Sequence, residues 1–426
     1  MRDFQRKLTG GFYALISLPS TAMGFALSIQ ISALSWILTT QYQLDIHQVG
    51  IVWAAGPLAG IFGQVIIGLI SDRVWFWGGR RRPFILIGGV LAAMMLLALP
   101  NIRAIRDVLG IGSLLVVATA IALTLDLAIN VSFNPTRSII ADVTPEGDAR
   151  TKGYTWMQTI SGFFGVMAYL VGAAAGNIVL IYVGVILVLL FSIIPVLFIS
   201  EERQLREAER PGEGPGATDW GQLWRIYGAH AFSWIGVQAM FVYIIAFIQQ
   251  KMPFGGAPEE AARQTGQVIS ISFAILNSVG FLLPAFVLEP LAKRFGRVRV
   301  HMLSVGSMAL GYFGVSVFAA GPLALYLLMG LLGVGWASIV SLPFAIMSEK
   351  VEKSRMGFYM GIFNLSVVLP QLFVSLVLGK VVLDAPDKSI IFLISGASLA
   401  VSALGWLLVR ERIGGGMKPL GVGGGH

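Results

Sequence analysis

Apolar runs long enough to cross a lipid bilayer recur along the whole chain, and no other feature limits its fold as strongly. A membrane-spanning helix needs about 20 predominantly apolar residues. Hydrophobic residues make up 56% of the 426 residues, and charged residues only 12%. The pattern predicts an all-α integral membrane protein with twelve transmembrane helices in the lipid bilayer, at residues 12–37, 47–71, 82–100, 108–136, 153–176, 178–199, 223–250, 266–290, 298–319, 322–347, 356–380 and 389–409.

Lysine and arginine fall mainly in alternate loops between the predicted spans. Such a bias marks the cytoplasmic side of a membrane protein. It predicts that the N and C termini are both cytoplasmic, and the short loops suggest a cell membrane. The net charge of +8 follows from this orientation, so no nucleic-acid partner is expected. The chain contains no cysteine, which excludes disulfides and cysteine-based metal sites.

The chain divides into two halves of six predicted spans each. Residues 201–222 form the only long polar segment, and their charge, proline and glycine content is typical of a linker. Two bundles are therefore predicted, at 1–200 and 223–413, with a disordered tail at 414–426. A repeated pattern supports the division, since Pro135, Asp142, Arg150 and Gly153 near the end of span four correspond to Pro343, Glu349, Arg355 and Gly357 near the end of span ten.

One acid, Asp126, lies well inside the fourth apolar run. An ionised carboxylate in hydrocarbon costs several kcal/mol unless it is used or satisfied. On a helix, Asn130 and Arg137 lie on the same face as Asp126, so the three form one polar stripe that must face protein or water. Eleven residues of helix separate Asp126 from Arg137 by roughly 16 Å, too far for a direct ion pair. We therefore expect Asp126 to be functional.

Several motifs carry a family resemblance. GLISDR and GGRRRP around residues 68–83 resemble the cytoplasmic loop motif of the major facilitator superfamily, whose fold has two six-helix bundles. VWAAGPLAG, LDLAIN and NPTRSIIADV, with SLPFAIMS and GIFNLSVVLPQ in the second half, look more narrowly like the sucrose/proton symporters of the glycoside-pentoside-hexuronide cation symporter group. In that family the aspartate of the fourth span is the proton-coupling acid, which by motif is Asp126. The family's two adjacent asparagines are here Ile129 and Asn130.

Sugar sites need amides for the hydroxyl groups and aromatic faces for the apolar side of the ring. The resemblance implies that spans one, four, seven and ten line the cavity. Tryptophans such as Trp234 are weaker candidates, because tryptophan also anchors helices at membrane interfaces. The histidines, His230 among them, have no ligand-spaced partners and no predicted role. The candidate substrate-binding residues are Gln30, Asn130, Gln158, Gln238, Asn277, Trp336, Asn364 and Gln371.

Charged residues at the cytoplasmic ends of the spans are candidates for gating. The arginines of the loop hold it in the cytoplasm, and Asp72 is expected to help latch the two halves when the outside is open. Asp142 with Arg150, and Glu349 with Arg355, are predicted to supply matching latches. The full gating set is Asp72, Arg73, Arg137, Asp142, Arg150, Glu349 and Arg355.

The residues and the resemblance together predict a transporter and not an enzyme. The expected activity is proton-coupled import of a disaccharide of the α-glucoside type, sucrose or maltose, by a monomer without cofactor or metal; the coupling ion is H⁺. The alternatives are a sodium-coupled glycoside symporter and a non-transporting sugar sensor on the same fold. A membrane enzyme is disfavoured, because only one buried acid is evident and no nucleophile and base pair is readable.

Overall fold

The computed structural model describes residues 3–60, 70, 74–145, 148–201, 218–348, 350–351 and 356–410. Within these residues, ten helical segments are long and apolar enough to cross a membrane. The shorter helix Ile390–Trp406, and a helical segment that begins at Ile46 and leaves the described residues after residue 60, complete the predicted order of twelve spans.

Each span is named by its order in the chain. Spans one to six contain Gly10–Ile29, Ile46–Trp53, Arg82–Ala98, Leu114–Val143, Asp148–Ala175 and Asn177–Phe198. Spans seven to twelve contain Trp220–Lys251, Pro258–Leu283, Arg297–Phe318, Pro322–Ile339, Met356–Phe373 and Ile390–Trp406. Shorter helices are Asp3–Arg6, Ser35–Thr40, Ile102–Leu109, Glu289–Phe295, Leu342–Ser348 and Gly379–Asp384.

Polar side chains cap the spans where the apolar runs begin. Asp45 forms a reciprocal capping box with Gln48, and the side chain of Ser113 accepts a hydrogen bond from the backbone of the fourth span. Asp219 caps the seventh span in the same way, so that this helix begins at Trp220. The helix therefore starts inside the predicted linker, whose end was placed at residue 222.

Helix packing repeats between the two halves. Span one packs against spans five and six, and span three against spans four and six. In the second half, span seven packs against spans eleven and twelve, and span nine against spans ten and twelve. Each second-half pair is the first-half pair moved six spans along the chain. The architecture is therefore two six-helix bundles related as parallel repeats.

Spans one and eight join the two halves. We call the side that holds Asp3 and Arg410, the first and last described residues, the inner side, and the opposite side the outer side. At the outer side, Trp36 Nε1 of span one donates to the carbonyl of Ala262 in span eight over 2.7 Å. Ser32 and Ser270, from the same two spans, hydrogen-bond over 2.8 Å. These contacts close the outer side of the molecule.

Candidate functional site

Asp126 lies in the middle of the fourth span and is only 6% exposed. Gln30 Nε2, in the first span, donates to Asp126 Oδ2 over 3.0 Å, and Gln30 is itself 4% exposed. Within the described residues, no other side chain hydrogen-bonds or ion-pairs with this carboxylate. Asp126 is thus a buried acid, as its place in an apolar run predicted, and it is held by a neutral amide, which the sequence did not predict.

The backbone around Asp126 is irregular in a way that makes room for this contact. A π-helical turn, Gln30–Leu34, interrupts the first span at the residue that holds the acid, and such turns re-aim side chains. Gly56 of the second span also lies against the carboxylate. A Cβ added at Gly56 would lie 3.3 Å from Asp126 Oδ2. Glycine therefore lets the second span approach the acid closely.

The predicted polar stripe of the fourth span is present, and its burial decreases toward the inner side. Asn130 is buried, and its Nδ2 donates to the backbone carbonyl of Asp126 over 2.8 Å. Arg137 is exposed, and its guanidinium lies 4.2 Å from the centre of the Phe133 ring. Arg137 does not pair with Asp126, in agreement with the separation expected along the helix.

The second half contributes two pairs of predicted substrate-binding residues. Gln371 Nε2 of span eleven donates to Gln238 Oε1 of span seven over 3.3 Å. Trp336 Nε1 of span ten donates to Asn277 Oδ1 of span eight over 3.2 Å. Asn364 is half-buried and lies two turns before Gln371 on the same helix face. Four of the predicted substrate-binding residues thus contact one another in pairs within the second half.

Aromatic rings cover the face of span seven that carries Gln238. Trp234 lies one turn before Gln238, and its ring centre is 6.0 Å from that of Trp336 at an angle of 81°. Phe241 lies 5.3 Å from Trp336 on the other side, at 79°. We call Trp234, Trp336 and Phe241 the aromatic wall. Edge-to-face packing of this kind holds the rings in fixed relative orientations.

Tyr169 of span five joins the aromatic wall to the first half. Its ring centre lies 6.0 Å from that of Phe273 in span eight, and the ring centre of Phe273 lies 5.5 Å from that of Phe241 in the aromatic wall. Sequence reasoning missed Tyr169, because a tyrosine in an apolar run gives no local signal that distinguishes a site residue from an interface anchor. The structure therefore adds Tyr169 to the candidate site.

The acid and the aromatic wall belong to different halves, and two further contacts bring those halves together. Gly60 of span two lies one turn beyond Gly56, and a Cβ added there would be 3.8 Å from Val368 of span eleven. Gly162 of span five packs so closely on Phe281 of span eight that a Cβ would overlap the ring. Gln158 is one turn before Gly162 on the same face and is exposed. Gln158 therefore faces the other half near the inner side.

The predicted gating residues are only partly described. Asp72, Arg73, Glu349 and Arg355, together with the side chain of Arg150, lie outside the described residues. Asp142 Oδ2 accepts hydrogen bonds from Arg80 Nη2 over 2.9 Å and from Arg81 Nε over 3.2 Å. Both arginines belong to the hairpin between spans two and three. The described partners of Asp142 thus lie in its own half, and its predicted latch with Arg150 stays a prediction.

Comparison with known proteins places this arrangement among transporters. A sucrose transport protein of Arabidopsis thaliana is 25% identical over 389 residues, covering 76% of this chain and 75% of the relative. A second sucrose transport protein, from Oryza sativa subsp. indica, is 24% identical over 393 residues, covering 76% and 78%. A general alpha-glucoside permease of Schizosaccharomyces pombe is 33% identical over 174 residues, covering 37% and 31%.

Solved structures share the fold at low identity. The crystal structure of a variant of the nucleoside transporter NupG matches with a TM-score of 0.73 and 14% identity, covering 94% of this chain and all of that one. A D-xylose-proton symporter matches with a TM-score of 0.69 and 14% identity, covering 94% and 97%. The Major Facilitator Superfamily profile matches residues 17–371 and 239–420. The chain therefore belongs to the Major Facilitator Superfamily and is a multi-pass membrane transport protein.

Proposed function

We propose that this protein is a proton-coupled symporter that imports a disaccharide of the α-glucoside type, sucrose or maltose, by alternating access. The observation that carries the proposal is the buried carboxylate of Asp126 held by the neutral amide of Gln30. A buried carboxylate without a cationic partner favours its neutral form. Asp126 is thus suited to take up a proton from one side of the membrane and to release it on the other.

Protonation of Asp126 gives a chemical reason for coupling. A neutral carboxyl group can donate a hydrogen bond to a sugar hydroxyl, whereas an ionised one can only accept. Loss of the proton would then weaken sugar binding, and by linkage bound sugar would strengthen proton binding. Gln30 is suited to follow this change, because an amide offers both a donor and an acceptor.

The proposed substrate class draws on the second half. Gln238, Gln371 and Asn277 offer amides to sugar hydroxyls, and the aromatic wall beside them offers apolar faces to the ring. The names of the relatives, sucrose transport protein and alpha-glucoside permease, support the same class. We further propose a monomer in the cell membrane with both termini cytoplasmic and with no cofactor beyond the coupling proton.

Uptake into proteoliposomes tests this proposal. The purified protein is reconstituted, and uptake of labelled sucrose, maltose and lactose is compared under an inward proton gradient, an inward sodium gradient, and no gradient. Accumulation of sucrose or maltose driven by the proton gradient is the expected result. Uptake that follows sodium would establish the sodium-coupled alternative, and binding without transport of any sugar would favour the sensor.

A further inference from the structure

His230 is a buried histidine in the second half that the proposed transport cycle does not use. It lies in span seven, one turn before Trp234, and is 1% exposed. Its Nε2 atom accepts a hydrogen bond from Trp234 Nε1 over 2.9 Å. His230 therefore contacts the Trp234 indole of the aromatic wall from the interior of the second bundle.

This hydrogen bond defines the protonation of the His230 ring. The indole nitrogen of tryptophan is only a donor, so Nε2 of His230 must be unprotonated, and the single ring proton is on Nδ1. Within the described residues, Nδ1 has no hydrogen-bond partner. A buried donor without an acceptor is unfavourable. The arrangement thus leaves one nitrogen of His230 unpaired while the other holds Trp234.

The plane of the His230 ring is also held. It stacks on Phe363 of span eleven, with ring centres 4.7 Å apart and an interplanar angle of 17°. Rotation of the imidazole would break this stacking as well as the bond to Trp234. The His230 ring is therefore held in one orientation, in which its Nε2 atom accepts the hydrogen bond of the Trp234 indole.

Contacts continue from His230 to the polar groups of the candidate site. Trp234 packs edge-to-face on Trp336, and Trp336 donates to Asn277 Oδ1 over 3.2 Å. Both tryptophans are half-buried, whereas His230 is enclosed. A change in the orientation of Trp234 would consequently alter the face that the aromatic wall presents, without changing any group near Asp126.

We propose that His230 is a positioning residue of the sugar site: by accepting the hydrogen bond of the Trp234 indole, it sets the orientation of the aromatic wall on which the apolar face of a glucoside ring packs. The inference rests on the proposed function, because it assumes that this wall receives the sugar. It assigns His230 to substrate affinity and selectivity and leaves proton coupling to Asp126.

Transport kinetics of paired variants test the role. In His230→Leu the acceptor is lost, and we expect the KM for sucrose to rise about threefold to tenfold, the value of one hydrogen bond, with Vmax and the dependence on the proton gradient unchanged. His230→Gln, whose carbonyl oxygen can accept from the indole, should restore most of the affinity. Trp234→Phe, which keeps a ring but removes the donor, should resemble His230→Leu. The double variant should be no worse than Trp234→Phe alone.

Fluorine NMR gives a second measurement that does not depend on transport. The protein is labelled with 5-fluorotryptophan, and the resonance of Trp234 among the 10 tryptophans is assigned by its absence in Trp234→Phe. We expect this resonance to move in His230→Leu and to return toward its original position in His230→Gln. Thermal unfolding in detergent identifies any variant that is misfolded. If His230→Leu is misfolded, the role is tested by comparing His230→Gln, which keeps an acceptor, with Trp234→Phe, which removes the donor.

Two results would overturn the proposal. One is that the Trp234 resonance does not move in folded His230→Leu. The other is that the increases in KM of His230→Leu and Trp234→Phe multiply in the double variant. Failure of the proposed function is a different outcome. If the wild-type protein transports none of the sugars, the assignment of the wall to a sugar is wrong, and the NMR comparison still decides whether His230 positions Trp234.

Discussion

Gln30 in span one donates to Asp126 in span four across 3.0 Å, which links two helices of the first bundle through a buried acid. The two residues are 96 positions apart in the chain. Any movement of span one relative to span four would change the surroundings of the carboxylate. In the proposed mechanism, this contact links proton binding at Asp126 to movement of span one.

Removal of the Gln30 amide should change proton handling more than sugar recognition. In Gln30→Leu the ionised form of Asp126 loses the hydrogen bond that stabilises it, so the acid should keep its proton more readily. We expect gradient-driven uptake to fall by about tenfold or more, as for a bond to a charged group, and half-maximal uptake to move to higher pH. The pH profile of uptake is the measurement. Gln371→Leu is the matched control, and an equal shift of its profile would contradict the assignment.

A glycine of span two packs closely on span eleven at the outer side. A Cβ at Gly50 would overlap the backbone carbonyl of Ser375 in span eleven and crowd the hydroxyl of Tyr243. Gly50→Ala should therefore prevent the outer side from closing and reduce uptake several-fold. Gly60→Ala is the matched control, because its Cβ would meet only ordinary van der Waals contacts.

Cysteine labelling measures this closure directly, because the chain has no native cysteine. Val49, next to Gly50, is fully buried. A Val49→Cys substitution should react slowly with a membrane-impermeant maleimide in the otherwise unchanged protein and several-fold faster when Gly50→Ala is added. Equal labelling rates in the two backgrounds would show that Gly50 does not control the closure.

Glu201 stabilises the inner end of the first bundle. Its carboxylate accepts the backbone N–H groups of Arg80, Arg81 and Arg82 at distances of 2.8 to 3.1 Å, at the start of span three. An acid in this position satisfies helix N–H groups and interacts favourably with the helix dipole. Glu201→Ala should lower the free energy of unfolding by about 1 to 2 kcal/mol.

Thermal or denaturant unfolding in detergent checks the Glu201 prediction. Glu260→Ala is the matched control, since Glu260 is in an exposed pair with Arg263 within one helix, and such pairs contribute little. Glu201→Gln, which keeps an acceptor but loses the charge, should lie between the wild type and Glu201→Ala. An equal loss of stability in the Glu201 and Glu260 variants would contradict the capping role.

Asp387 is an acid outside the membrane-spanning segments. The hydrogen bonds from Lys251 and from the backbone of Ser389 lower the pKa of Asp387 to about 2. Because its folded pKa lies below the ordinary value, its contribution to stability is present above about pH 4 and is lost as the pH falls through about 2. Asp387→Asn should therefore leave the pH profile of uptake unchanged between about pH 5 and about pH 8. A displaced profile would show that this loop takes part in coupling.

The sequence alone predicts the twelve spans and the importance of Asp126 for the same reason. Apolar runs and a charge inside one of them are local signals, and the energy of burial in hydrocarbon makes both strong. The stripe of Asp126, Asn130 and Arg137 was also predictable, because residues on one helix have known angular relations. Contacts between helices have no such signal, so the bond from Gln30 to Asp126 was not foreseen.

Two further features show where sequence reasoning stops. The hydrogen bonds of Asp142 with Arg80 and Arg81 were not predicted, because these arginines come from a hairpin that folds back on the end of span four. The bond of His230 to Trp234 lies within one helix and was open to prediction, but the stacking of His230 on Phe363 of span eleven was hidden in the same way as the partners of Asp142. Both depend on how spans pack against each other, which the local pattern of residues does not contain.

The central claim is that Asp126 carries the coupling proton, and sugar uptake by Asp126→Asn in proteoliposomes tests it most directly. Two quantities are compared with those of wild type and of Asp387→Asn: accumulation of labelled sucrose or maltose under an inward proton gradient, and exchange of labelled for unlabelled sugar without a gradient. We predict that Asp126→Asn abolishes accumulation and keeps exchange, while Asp387→Asn keeps both. Accumulation by Asp126→Asn at the wild-type level would contradict the account.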